Sequence, residues 1–189
     1  MRNLLGFCLF FVIAFSSSNK VFAISPDVFV QSTVNRASEV LSKSFSKEEK
    51  MIQLKKIAKE TVDIRGVGFY SLGSIRKTLD NKQLDTYSDL FEKYFLKSFA
   101  SRLAEYTNPE IEVKDKEILN KNYTIVNSIL VGTSERPEVK IDWRVYTKNP
   151  ENPLIRDLII EGLSLARTQK EEFASILNSN DNDINALFA

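Results

Sequence analysis

The hydrophobic period of this chain changes once, and that change constrains its architecture more than any other feature. Up to Asn108-Pro109 apolar residues recur every three or four positions, and beyond it they recur every second position. Helices first, then consecutive strands, then a closing helix is an α+β order. The strands follow one another without intervening helices. They are therefore expected to pair antiparallel, in a sheet of about four strands with helices over its apolar face.

In the first half, Ser25-Pro26 reads as an N-cap followed by proline in the first turn, and Val30, Val34, Ala37, Leu41 and Phe45 recur at helical steps, predicting a helix over about 26–45. Ser46 and Glu49 form a capping box for a second helix carrying Met51, Leu54, Ile57, Ala58 and Val62 on one side. The stretch from Asp63 to Gly73 is less regular, and its three glycines suggest tight bends or close backbone packing. A dinucleotide-binding reading of them fails for want of an upstream strand and of the right spacing to the third glycine. Asp80 and Gln83 then cap a long helix in which Leu84, Tyr87, Phe91, Tyr94, Phe95, Phe99, Leu103 and Tyr106 fall at helical spacing.

In the second half, Ile111 and Val113 begin one strand, and Tyr123, Ile125, Ile129 and Val131 mark another. In the third, Val139, Ile141, Trp143 and Val145 alternate with Lys140, Asp142, Arg144 and Tyr146. The short loop Gly132–Pro137 makes the second and third strands antiparallel neighbours. A fourth strand is expected over about Leu154–Glu161, then a helix holding Leu165, Phe173, Ile176 and Leu177, and a short amphipathic end around Ile184 and Leu187. The one-sided third strand needs a helical layer over its apolar face, and the aromatic helix is the expected cover.

Composition removes several classes of function. There is no histidine and one cysteine, so His-dependent triads, His-ligated zinc and Cys-x-x-Cys redox centres are ruled out. With 26 basic against 25 acidic side chains, no charge excess favours nucleic acid as a partner. No carboxylate pair stands out as an acid–base couple, since Asp142 is in opposite strand phase to Trp143 and Asp157 and Glu161 suit solvated or ion-paired roles. No catalytic residue and no metal ligand is assigned, and the chain is not expected to be an enzyme.

The N-terminus reads as an address. Arg2 precedes an apolar run from Leu4 to Phe15, and Val21-Phe22-Ala23 suits cleavage after Ala23. Twelve residues span roughly 18 Å as a helix, too short for a hydrocarbon core of about 30 Å. A retained anchor is the alternative. Residues 1–23 are thus expected to be a signal peptide carrying away the only cysteine, Cys8, and residues 24–189 a single domain. The apolar inventory leaves two readings open: a filled core, or a curved sheet and helices enclosing a cavity that an apolar ligand must occupy.

The order of these features, with Val62-Asp63-Ile64, Leu72-Gly73, Gln83 before the aromatic helix, Tyr106 and above all Ile160-Glu161-Gly162-Leu163-Ser164-Leu165 followed by Phe173, resembles the MlaC family, also called toluene-tolerance or ABC-transporter auxiliary proteins. Val139–Val145 and Thr168–Phe173 look closer to a hopanoid-associated branch. The resemblance implies an NTF2-like cone with an internal apolar cavity. It also implies a periplasmic phospholipid carrier, serving outer-membrane lipid asymmetry. The partners implied are the phospholipid itself, an inner-membrane ABC transporter with its substrate-binding MCE subunit, and an outer-membrane lipoprotein complex. The protein would be a monomer, with bound phospholipid as cargo and no cofactor. A hopanoid-associated lipid carrier, an NTF2-like small-molecule isomerase and an assembly module without lipid are the alternatives.

On that reading Val67, Phe69, Leu72, Phe91, Tyr94 and Phe95 are expected to form the helical side of a lipid pocket, and Ile125, Ile129, Ile141, Trp143, Val145, Ile160 and Leu163 its sheet side, each otherwise packing as core. Arg76 and Lys77 are candidates for a basic lip near the headgroup, or else ordinary surface charges. Gly162 would allow a sharp strand-to-helix bend and Ser164 would cap the helix.

Overall fold

A computed structural model describes residues 23–188, so the signal peptide expected over residues 1–23 lies, Ala23 apart, outside the described residues. Helix α1 spans Pro26–Ser42 and α2 spans Lys47–Thr61. The first stops three residues short of the expected end because Lys43 is already extended, as the chain must be before Ser46 can cap α2. That cap is reciprocal: the Glu49 N–H donates to Ser46 Oγ at 3.2 Å and the Ser46 N–H to Glu49 Oε2 at 2.9 Å.

The stretch expected to be irregular is helical. Helix α3 runs Ile64–Ser71, with Asp63 accepting the Gly66 N–H at 2.9 Å. Two glycines inside a helix cost about 1 kcal/mol each, and the cap and tertiary packing offset that. A 3-10 turn at Ile75–Lys77 leads to α4, Asn81–Leu103, again opened by a capping box, here Asp80 with Gln83.

The sheet is an antiparallel meander in the order β1-β2-β3-β4-β5, with strands Ile111–Asn120, Tyr123–Leu130, Val139–Tyr146, Leu154–Ile160 and the two-residue Leu163–Ser164. Glu161 and Gly162 both take positive φ, 49° and 81°, the geometry of a tight two-residue hairpin. Ser164 then caps α5, Leu165–Asn178, by accepting the Arg167 N–H at 3.1 Å, and a 3-10 turn at Ile184–Leu187 follows.

The cover of the sheet differs from expectation. Helix α1, not α4, lies directly on β1 and β2, with Val30 and Val34 packed among Val126, Leu130, Trp143 and Val145. Helix α4 packs mainly on α2 and α3. Its Tyr87, Phe91 and Leu96 join Val67, Leu72 and Ala166 in a second core, with Phe173 edge-on to Tyr87 and Phe91. The aromatic helix therefore faces the sheet across a gap.

Candidate functional site

Residues of α1, α2, α4, the sheet and α5 together wall a cavity of about 350 Å³, and the wall is overwhelmingly apolar. Helix α4 supplies Phe91, Tyr94, Phe95 and Phe99 along its length, α1 supplies Val34, Ala37 and Leu41, α2 supplies Leu54, Ile57 and Ala58, and the sheet supplies Leu130, Ile141, Trp143, Ile155, Leu158 and Ile160. The volume falls within the range of ligand pockets. The pocket opens to solvent, so an apolar ligand entering it gains burial on both surfaces: each methylene that leaves water there is worth about 0.8 kcal/mol.

Most of the buried polar atoms around it are paired; among the described residues Arg136 Nε and Arg144 Nε are not. Trp143 donates its indole N–H to Ser128 Oγ at 2.8 Å, and that hydroxyl donates to the Ile141 carbonyl at 2.9 Å. Asp157, among the most buried polar residues, accepts the Ser164 hydroxyl at 2.6 Å and the Ala166 N–H at 2.9 Å and faces Arg144 at 3.4 Å. It holds the N-terminus of α5 in place, where an anion is favoured by the helix dipole. At a bulge in β4, the register with β3 skips Arg156. Its guanidinium donates to Asp63 at 2.7 Å and to the Tyr123 hydroxyl at 2.6 Å, and lies 3.6 Å over the Tyr146 ring. The Asp63 N–H donates to the Ile155 carbonyl at 2.9 Å, so the α2–α3 junction is fastened to β4. Among the described residues no three His, Cys, Asp or Glu side chains gather as a metal site, and no helix is long and apolar enough to cross a membrane.

Of the expected pocket residues, Val67, Phe91, Tyr94, Phe95, Ile141, Trp143 and Ile160 come together in the wall. The others do not. Ile125 and Ile129 lie on the half-buried phase of β2, whose buried phase is Thr124, Val126, Ser128 and Leu130. Both phases of that strand contain apolar residues, and the need of the Trp143 indole for a buried acceptor turns Ser128 inward. Val145 is fully buried, but against α1 as filled core, and Leu72 packs in the helical core. Phe69 lies beneath the guanidinium groups of Arg65 and Arg76, and Leu163 is exposed beyond the Glu161-Gly162 turn. Arg76 and Lys77 stand exposed on the 3-10 turn and are not part of the wall.

The α1 and α2 parts of the wall lie outside the expected set, although Val34, Ala37 and Leu41, and Leu54, Ile57 and Ala58, are visible in the sequence as helix faces. Arg102 and the α5 residues Thr168, Gln169 and Glu172 lie outside it as well, with no apolar pattern to mark them.

The search of curated proteins returned no match. Among solved structures, the fold is similar to that of a phospholipid-binding protein from Ralstonia solanacearum, solved in complex with a phospholipid, with a TM-score of 0.72, 20% identity, and coverage of 87% of this chain and 93% of that one. The family model described as MlaC protein matches residues 31–189, from within α1 to the C-terminus, and on that match this chain belongs to the MlaC protein family.

Proposed function

We propose that this protein is a periplasmic phospholipid-binding carrier. It is exported by a signal peptide at residues 1–23 and shuttles lipid between an inner-membrane ABC transporter, through its MCE subunit, and an outer-membrane lipoprotein complex. The observation that carries the reading is the large apolar pocket between helices and sheet, open to solvent and walled almost wholly by apolar side chains. Family membership supports it, as does the phospholipid held by the structurally similar protein from Ralstonia solanacearum.

Transfer energies explain how such a cavity serves transport. Each methylene removed from water is worth about 0.8 kcal/mol, so two chains of roughly thirty methylenes represent about 24 kcal/mol, and a lipid does not cross water unaided. A bilayer offers the same burial, so a carrier need only match the membrane. Small differences in partner affinity then bias the flow. The carboxylates of the wall suit this passive role: Asp157 is engaged by Ser164, Ala166 and Arg144, and Glu172 accepts the Gln169 amide at its exposed end.

Native mass spectrometry with lipid extraction, on protein purified from bacterial periplasm, tests the reading. One phospholipid per chain is expected. A hopanoid mass would change the cargo class, and an apo mass with no dissociable lipid would overturn the carrier in favour of an isomerase or a filled assembly module.

A further inference from the structure

The cavity is not electrically symmetrical. At the α5 end the polar groups of the wall satisfy one another: the Tyr94 hydroxyl donates to Gln169 Oε1 at 2.9 Å and the Gln169 amide donates to Glu172 at 3.2 Å, leaving a carboxylate there. At the other end Arg102, in the last turn of α4, contributes to the wall together with Ser98 and Tyr106. Arg102 is exposed and has no ion-pair partner among the described residues. A second guanidinium, Arg136, lies 5.4 Å over the Tyr106 ring, with its Nε buried and unpartnered. The helix dipole accounts for a cation in the last turn of α4. It does not account for a second guanidinium beside the same aromatic ring at the end of an apolar cavity, one that donates an Nη2–H to the Val131 carbonyl at 3.3 Å but meets no carboxylate among the described residues.

We propose that Arg102, with Tyr106 and Ser98 beside it and Arg136 behind the ring, seats the phosphate of the lipid and thereby fixes which way the lipid lies. This rests on the carrier reading above. Guanidinium is the side chain best matched to phosphate oxygens, and Glu172 repels phosphate from the opposite end. Length agrees: from Arg102 to Phe91 is eleven residues, about 17 Å of α4, against the ~15 Å that lipid tails span in one leaflet of a ~30 Å core. With the phosphate at Arg102, the tails lie along Phe99, Phe95 and Phe91.

The test loads lipid-stripped protein with phosphatidylglycerol, or with a diacylglycerol of the same chains and no phosphate, and reads the bound fraction by native mass spectrometry. In wild type the phospholipid is held better. Arg102→Gln and Arg102→Glu each lower its affinity about tenfold or more while diacylglycerol uptake is unchanged, and Arg102→Lys recovers part of the loss. Circular dichroism checks that these surface variants are folded. Phospholipid held equally by Arg102→Gln and wild type overturns the seat, as does a loss seen instead on replacing Arg76 and Lys77 by Gln. Inorganic phosphate bound by stripped protein with the same Arg102 dependence would reassign the site to a free anion and overturn the lipid assignment. Wild type taking up neither lipid would instead sink the carrier reading itself.

Discussion

Gly68 lies directly against the ring of Phe91: a Cβ at position 68 would stand 2.7 Å from the Phe91 Cδ1. The same glycine accepts the hydroxyl of Tyr87 at 3.0 Å, so α3 and α4 meet backbone to ring at the edge of the cavity. Burial pushes the Tyr87 phenol well above its ordinary pKa, and it remains a donor at all physiological pH.

Gly68→Ala is therefore expected to destabilise the fold. Alanine gains up to about 1 kcal/mol of helix propensity, but overpacking against a buried ring costs about 1–3 kcal/mol, and Phe91 cannot move without disturbing the stacked Tyr87 and Phe95. A lowered Tm in thermal unfolding checks this. A Tm at or above wild type would show that α3 and α4 slide apart freely.

Asp157→Ala removes the acceptor for Ser164 and Ala166 and leaves the Arg144 guanidinium, whose Nε is already buried without a partner, uncompensated. With Arg144 partly exposed, the expected loss comes chiefly from the unsatisfied Ser164 hydroxyl and Ala166 N–H, about 1–3 kcal/mol in denaturant unfolding, with hydrogen exchange fastest in the first turn of α5. A loss spread evenly over the chain would contradict the role given to Asp157 at that helix start.

Placing a carboxylate in the wall should empty it. Phe91→Glu and Ile141→Glu are expected to lose co-purified lipid, and Ser98→Trp, which narrows the space without burying charge, is expected to lose it partly. Lipid extraction of protein shown folded by circular dichroism provides the readout, and full lipid content in all three would remove these residues from the lining.

The N-terminus of α1 is tied to β1 by Asp27, 2.5 Å from Lys116, and the hydrogen bonds from Lys116 and then Ser25 hold the Asp27 carboxyl at about 2 against an ordinary value of 3.8. The native carboxyl holds its proton less tightly than the unfolded one. Its contribution is therefore complete above about pH 4 and is lost as pH falls toward 2. Because both side chains are more than a third exposed, the contribution is below about 1 kcal/mol. In urea unfolding followed down that window, Asp27→Asn should flatten this part of the pH dependence, and an unchanged slope would contradict it.

Much of the fold was legible in short stretches. Ser46 with Glu49 and Asp80 with Gln83 announced two helix starts, and Ser164 announced that of α5, because each cap satisfies backbone groups within a few residues of itself, whereas the bend expected at Gly162 is instead a two-residue hairpin leading into β5. Helix α3 was missed for a complementary reason. Its glycines argue against a helix locally, and the Phe91 ring that requires Gly68 lies 23 residues further along the chain.

The sequence by itself determined most of the elements and their order, α3 and the short β5 excepted, the exclusion of histidine and disulfide chemistry, and the aromatic stripe of α4, since all of these depend on residue type or on neighbours along the chain. Only the tertiary structure decided which phase of β2 faces inward, that α1 rather than α4 covers the sheet, and that Arg102 rather than Arg76 stands at the cavity. These depend on pairings between distant segments: the Trp143 indole with Ser128, α1 with β1 and β2, and the gap left where α4 packs mainly on α2 and α3 and not on the strands. A cavity is space that packing fails to fill, and no residue taken alone encodes it.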